Sequence, residues 1–183
     1  MIKEIWIMVI TILTSFTLIA QPATQISSSD LSAINFRVEQ NAGELIKKLS
    51  IENVSTLEIE FTVDTFKIER IFDEKMKIEN STLEMNIALM SVEKDYDGML
   101  NKYYQKLKSN LTTADQEILK KSQLNWLKFR DSEKDIYRIL RKEEYTGGGT
   151  IRGTIYLIQS LELTKKRVIQ LYDELLYLKT AMN

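Results

Sequence analysis

Apolar residues recur every three or four positions in three long stretches between residues 85 and 175. This spacing places them on one face of an α-helix, so the pattern predicts three long amphipathic helices. The three stripes are Met85, Leu89, Val92, Tyr96, Met99, Tyr103 and Leu107; Leu119, Trp126, Phe129, Ile136 and Leu140; and Ile155, Leu157, Leu161, Val168, Leu171 and Leu175. Each helix would be roughly 40 Å long, and short connections predict that they pack antiparallel.

Capping signals support the helix boundaries. Ser81 to Glu84 and Thr113 to Gln116 each have the form of a capping box, which marks a helix N-terminus. We expect the second long helix to end near Glu143, because three glycines follow shortly afterwards and cannot form a helix interior.

The stretch before residue 64 has a different pattern. Leu57, Ile59, Phe61 and Val63 alternate with polar residues, which predicts a strand at 56–63. Its partner would be residues 33–38 or another chain. Asp64 has the form of an N-cap for a short helix at about 65–79. The fold class is therefore predicted as all-α, an antiparallel bundle of three long helices plus a short fourth at 64–179, with a small, partly extended N-terminal appendage at 21–63 that includes a short helix at 41–49.

Residues 5–20 form an apolar run after Lys3 and Glu4. The length of this run falls between that of a signal-peptide core, about 7–15 residues, and that of a membrane span, about 20 residues. Ala20 is a plausible cleavage point. We expect residues 1–20 to be a signal peptide and the protein to be exported, either periplasmic or secreted. A retained N-terminal anchor is the alternative. No membrane span is expected in the mature chain.

Composition excludes several kinds of chemistry. The sequence has no cysteine and no histidine, so thiolate nucleophiles, imidazole bases, disulfides and Cys/His zinc sites are excluded. The sequence offers no Asp-rich loop for a hard cation, and we expect no metal or other cofactor. A net charge of −1 argues against a nucleic-acid partner, which would favour a basic excess.

Polar residues interrupt two of the apolar stripes. Gln123, Trp126 and Arg130 share one helical stripe, while Thr164 and Arg167 share another. A buried arginine needs an acceptor, and Asp131, Glu133 and Glu162 are the nearest carboxylates in sequence. The residues Gln123, Trp126, Arg130, Asp131, Thr164 and Arg167 are therefore predicted to form a structural polar cluster. A ligand pocket and a catalytic site are the alternatives.

The glycine loop is the other candidate site. It comprises Thr146, Gly147, Gly148, Gly149, Thr150 and the nearby Arg152. One interpretation is a helix C-cap followed by a turn. The other is a flexible recognition loop that offers backbone amides, two hydroxyl groups and a cation to a target protein.

Five short pieces of the sequence together resemble one family. They are Glu84-Met85-Asn86, Leu100-Asn101-x-x-Tyr104, Gln123-x-x-Trp126-x-x-Phe129-Arg130-Asp131, Gly147-Gly148-Gly149-Thr150 and Leu163-Thr164-x-x-Arg167. This set resembles the LprI-like lysozyme-inhibitor domain family over roughly residues 78–175. The resemblance implies an exported, helical, non-enzymatic protein whose partner is a lysozyme-type glycoside hydrolase. Many members carry cysteines where this sequence has approximately Ala88, Lys134 and Gln159, so the resemblance implies a cysteine-free branch.

Three functions then compete. The first is a binding protein that inhibits a lysozyme by inserting the 146–150 loop into the enzyme's cleft. The second is an envelope interaction or scaffold module without an enzyme target, which recruits a partner through the strand at 57–63. The third, an enzyme, has the weakest support, because no sequence feature assembles a base, a nucleophile and an oxyanion site.

Overall fold

The computed structural model describes residues 25–181. Within this range the chain forms helices and no strand, so the predicted all-α bundle is confirmed. Five of the helices are long, however, where the sequence had predicted three. The helices are α1 (Ser28–Ile51), α2 (Thr56–Ile78), α3 (Thr82–Lys108), α4 (Thr113–Leu140), α5 (Glu143–Thr146) and α6 (Ile151–Ala181).

The successive long helices run antiparallel, as side-chain contacts along each pair show. Because α4 reverses the chain between them, α3 and α6 run parallel, and they form the most extensive helix pair of the fold. Helix α2 packs on one side of this pair, α4 packs on the other, and α1 packs on α2. The contacts that fix these directions are Arg37–Glu74 and Lys67–Glu39 for α1/α2, Lys106–Glu60 and Tyr96–Glu69 for α2/α3, Arg130–Asp97 and Lys134–Glu93 for α3/α4, and Arg167–Ser122 and Arg141–Gln159 for α4/α6.

The core lies between α3 and α6 and is closed on one side by α2. Its centre is an aromatic cluster, in which the ring of Phe61 stacks on Tyr172 at 3.8 Å and Tyr103 meets both rings edge-on. Tyr103 is fully buried, and its hydroxyl donates to Asp64 at 3.1 Å. The remaining buried core residues are Leu89, Val92, Tyr96, Met99, Leu100, Leu107, Leu161, Val168, Leu171 and Leu175.

The strand predicted at 56–63 is wrong, because these residues form the first two turns of α2. Ser55 and Glu58 make a reciprocal capping box at its start, and Leu57 and Phe61, one turn apart, both pack on the core. Helix α2 is covered by α1 on one side and by α3 and α6 on the other. A helix that packs on two sides carries apolar residues on both and has no single apolar stripe. At 56–63 this gives an alternation of apolar and polar residues that is also typical of a strand.

The described part of the predicted N-terminal appendage, residues 25–63, is likewise not partly extended, because it forms α1 and the first turns of α2. The short helix expected at 41–49 is the second half of α1, whose buried residues Ile34, Val38 and Ala42 face α2. Asp64 does not cap a helix. It lies within α2, where its carboxylate accepts hydrogen bonds from Lys102 and Tyr103 of α3.

The helix ends largely follow the predicted signals. Ser81 caps α3 by accepting from the amide of Glu84, whereas α4 is capped by Thr112, one residue earlier than expected. The signal peptide predicted at 1–20 lies outside the described residues. None of the helices in residues 25–181 combines the length and the hydropathy that a membrane crossing requires.

Candidate functional site

Arg167 is the most buried charged residue of the predicted polar cluster, with 7% of its surface exposed. Its Nε donates to Oε1 of Gln123 at 3.0 Å, and its two terminal nitrogens donate to Gln170 at 2.8 Å and Ser122 at 3.4 Å. These acceptors are all uncharged, and no carboxylate in the described part of the chain lies within ion-pair distance of Arg167. Burial lowers the pKa of Arg167 below its usual value. The cation is therefore held by amide and hydroxyl oxygens rather than by the carboxylate expected from the sequence.

Trp126 lies between the two arginines of the cluster. The guanidinium carbon of Arg130 is 5.4 Å from the indole centre, and that of Arg167 is 5.8 Å from it, so both form cation–π contacts. Arg130 also donates to Asp97 at 3.1 Å and to its neighbour Asp131 at 3.2 Å. Asp97 was missed from the sequence because it lies on α3, and only the antiparallel packing of α3 and α4 brings it to Arg130.

The structure brings together four of the six predicted cluster residues, namely Gln123, Trp126, Arg130 and Arg167. Asp131 is exposed and contacts the cluster through Arg130. Thr164 is fully buried on α6, and its hydroxyl finds no hydrogen-bond partner among the described residues. Beside the cluster, a cavity of about 250 Å³ opens between α3 and α4. It is lined by Leu100, Asn101, Tyr104, Lys120, Gln123, Leu124 and Leu127.

The glycine loop follows the short helix α5. All three glycines have positive φ, at 74° for Gly147, 87° for Gly148 and 118° for Gly149. Residues other than glycine rarely adopt a backbone conformation with such a positive φ, which explains the three glycines at these positions. The amide of Gly147 closes α5 by donating to the carbonyl of Glu143 at 2.7 Å. A glycine C-cap is therefore present, but it ends the short helix α5, which the sequence analysis did not predict, rather than the second long helix, which ends at Leu140. Two further glycines extend beyond the cap.

Two predicted loop residues are used within the loop itself. The hydroxyl of Thr146 donates to the carbonyl of Lys142 at 2.8 Å, and a terminal nitrogen of Arg152 donates to the carbonyl of Thr146. Thr150 is exposed. Among residues 25–181, the amides of Gly148, Gly149 and Thr150 have no hydrogen-bond acceptor. The loop therefore has backbone amides available as donors, and the hydrogen bond from Arg152 to the Thr146 carbonyl holds the start of the loop in place.

Beneath the loop, an open groove of about 500 Å³ separates the end of α4 from the start of α6. Its charged lining is mostly basic, and the sequence analysis had assigned only one of these cations, Arg152, to a candidate site. From sequence alone, the adjacent pair Arg141-Lys142 is most simply interpreted as a solvated helix face, and Arg138 gives no signal of its own. The lining residues are Arg138, Arg141, Lys142, Glu143, Gly148, Gly149, Arg152, Gly153 and Tyr156.

Two partly buried ionic networks on the opposite side of the bundle also escaped the sequence analysis. Lys102 of α3 contacts Glu60 at 2.8 Å and Asp64 at 2.5 Å, both on α2. Further along the bundle, Glu69 accepts from the hydroxyl of Tyr96 and from Lys165, each at 2.6 Å. Each network joins different helices, so its members are far apart in sequence.

Comparison with known proteins gives one match. The family model described as "Lysozyme inhibitor LprI" matches residues 73–171, which is 99 of the 183 residues. The match includes all of α3, α4, the glycine loop and most of α6. No curated protein and no solved structure matches the chain.

Proposed function

The chain belongs to the LprI lysozyme-inhibitor family, and from this premise we propose that it is an exported, non-enzymatic protein that binds and inhibits a lysozyme-type muramidase. The observation that carries the proposal is the family match, which spans more than half of the chain and includes both candidate sites. The family is described as an inhibitor of an enzyme. A non-enzymatic role is consistent with a sequence in which no motif combines a general base with a nucleophile.

We place the contact with the enzyme at the loop formed by Gly147, Gly148, Gly149 and Thr150. Lysozyme-type glycosidases carry two catalytic carboxylates about 5 Å or more apart across a cleft. A protrusion that offers hydrogen-bond donors would satisfy those carboxylates and exclude substrate. Free amides on an exposed, glycine-rich loop fit this requirement, since they need no side chain that would widen the protrusion.

The contacts within the loop refine the role of each residue. Because the Thr146 hydroxyl proton is directed to Lys142, we assign target binding to the amides of Gly148 and Gly149 and to Thr150. Arg152 holds the loop through the Thr146 carbonyl and adds positive charge behind it. The cation then serves to position the loop and to attract an acidic cleft.

The scaffold hypothesis has lost its main support. It required an exposed strand at 57–63 that could pair with a partner, and these residues are helical. No second candidate function is favoured by a specific feature of the described residues.

A cell-wall lysis assay tests the proposal directly. Purified mature protein should slow several lysozymes at micromolar concentration, and the variant Thr146→Ala/Thr150→Ala/Arg152→Glu should lose roughly tenfold or more of its inhibitory potency. Lys166→Glu is the matched control, because Lys166 is exposed on the same helix as Arg152 and lies outside the loop. It should inhibit like the unaltered protein.

The two parts of the proposal fail separately. If the protein inhibits no lysozyme, the function is wrong. If the triple variant folds, as judged by circular dichroism, and inhibits as well as the control, the function stands and the assignment of the loop is wrong.

A further inference from the structure

The groove beneath the glycine loop carries more positive charge than its own carboxylates neutralise. Two of its four cations have acidic partners, since Arg138 pairs with Asp135 at 2.7 Å and Lys142 lies 3.9 Å from Glu144. Arg141 and Arg152, by contrast, form no ion pair with any described residue. Arg141 bonds the neutral Gln159 at 2.6 Å, and Arg152 bonds a backbone carbonyl.

Both arginines also retain an unused donor. The Nε of Arg141 and one terminal nitrogen of Arg152 are shielded from water and have no hydrogen-bond partner. Such groups lose hydration without gaining an acceptor, which is unfavourable for a charged donor. Both arginines line the groove, so an acceptor bound in it would lie next to their guanidinium groups.

We propose that this groove is a binding site for a phosphate group, held by the guanidinium groups of Arg141 and Arg152. Guanidinium groups bind phosphate oxygens through paired, charge-assisted hydrogen bonds. The groove's volume of about 500 Å³ leaves room for a phosphate and part of the molecule that carries it. Gly148 and Gly149 line the same groove, so a phosphate bound there would lie next to the backbone of the loop.

Phosphate fits this site better than a carboxylate does. A phosphate monoester carries up to two negative charges, which match the two arginines without acidic partners. It also offers more acceptor oxygens than a carboxylate, for donors that come from two helices and a loop. Glu143 is the one acidic residue in the lining, and it opposes any anion. The site does not depend on the proposed inhibition, because it requires no enzyme partner.

Titration with inorganic phosphate, followed in the amide proton–nitrogen correlation spectrum, tests the site. The sequence has six glycines, and their amides form a separate, easily assigned group of signals. Phosphate should shift the signals of Gly148, Gly149 and Gly153, which line the groove, and leave Gly43 and Gly98 unchanged. Sodium chloride at equal ionic strength is the reference for screening.

Variants identify the residues that bind. Arg141→Gln and Arg152→Gln should each weaken phosphate binding by about tenfold, while Lys166→Gln should bind normally. Glu143→Gln should bind more tightly, since it removes the opposing charge. If Arg152→Gln disturbs the loop by releasing Thr146, Arg141→Gln still tests the site, because Arg141 does not contact the loop carbonyl.

The ligand's source is distinguished by two further probes. Stronger binding of glycerol phosphate than of dimethyl phosphate indicates a terminal monoester, and the reverse indicates an internal phosphodiester. Either result supports the site. Equal shifts with phosphate, acetate and chloride would overturn the proposal, as would phosphate-induced shifts that persist in Arg141→Gln and Arg152→Gln.

Discussion

The two sides of the central α3/α6 pair are built differently. On the α2 side, stacked aromatic rings and ionic networks fill the interface, and Tyr103 is fully buried there. On the α4 side, Gln123 is the one buried residue of a 28-residue helix. Large apolar residues of α4 stay more than two-fifths exposed, namely Ile118, Leu124, Phe129, Ile136, Ile139 and Leu140.

This difference suggests that the two sides have separate roles, one in the stability of the fold and the other in the register of α4. Burial of apolar surface dominates folding free energy, so the α2 side should provide most of the stability. The α4 side is held in register by directional contacts, in which Arg130 and Arg167 enclose Trp126 and Gln123 is hydrogen-bonded to Arg167. The residues of the family resemblance lie mainly on this second side. We infer that the spacing of these residues is set by the polar contacts that hold α4 against α6 and so position the glycine loop that follows α4 and α5.

The largest expected effect is from Tyr103→Ala. It removes a fully buried ring that meets Phe61 and Tyr172 and deletes the bond to Asp64. We expect a loss of about 3–5 kcal/mol in the free energy of unfolding, measured by urea denaturation. A loss below about 1 kcal/mol would show that the α2 side can collapse around the gap and is not the stable half.

Trp126→Ala provides the contrast on the α4 side. The indole is only half-buried, so its loss should cost about 2 kcal/mol, less than Tyr103→Ala despite the larger side chain. Equal costs for the two variants would remove the distinction between the two sides.

A smaller effect is expected from Gln123→Leu, which leaves the buried guanidinium of Arg167 without its closest side-chain partner on α4. The cost should be about 1–3 kcal/mol in the same urea measurement. Arg167→Met should cost less, because it removes the charge that needs the partner. The double variant should be more stable than Gln123→Leu alone. If it is less stable, the two side chains act independently and the polar cluster is not a unit.

The effect that is smallest near neutral pH and grows only at alkaline pH concerns the α2 side. Burial and the bond to Glu69 raise the pKa of Tyr96 above its usual value of 10.0, and burial and the charge of Asp64 do the same for Tyr103. The unfolded chain therefore loses these protons first as the pH rises. Stability should be complete below about pH 10 and fall above it, by about 1.4 kcal/mol per pH unit for each such tyrosine.

Urea unfolding from neutral pH to about pH 11 measures this decline. Tyr96→Phe should reduce its slope, whereas Tyr177→Phe should not, because Tyr177 is 69% exposed. An identical slope in Tyr96→Phe would show that Tyr96 ionises equally in the folded and unfolded chain.

Prediction from sequence succeeded where apolar residues recur at regular helical spacing. Helices α3, α4 and α6 each show this spacing, and their predicted boundaries lie within a few residues of those observed. The stripe predicted for α4 is only partly buried, however, because Phe129, Ile136 and Leu140 are exposed and Gln123 is the one buried residue of that helix. Prediction failed for residues 56–63, the start of α2, because that helix packs on two sides and shows no single stripe, whereas the helix predicted at about 65–79 is the remainder of α2. The capping box at Ser55 and Glu58 was the local signal that could have corrected this error.

The sequence by itself determined the all-α class, the three long C-terminal helices, the glycine-rich break before the last of them and the family. These features depend on local spacing and backbone preference, which neighbouring residues specify. Only the tertiary structure decided that α1 and α2 join the bundle, that Asp97 reaches Arg130, and that Arg141 and Arg152 share a groove. Those contacts join residues on separate helices, and their positions depend on how the helices pack, which no local pattern encodes.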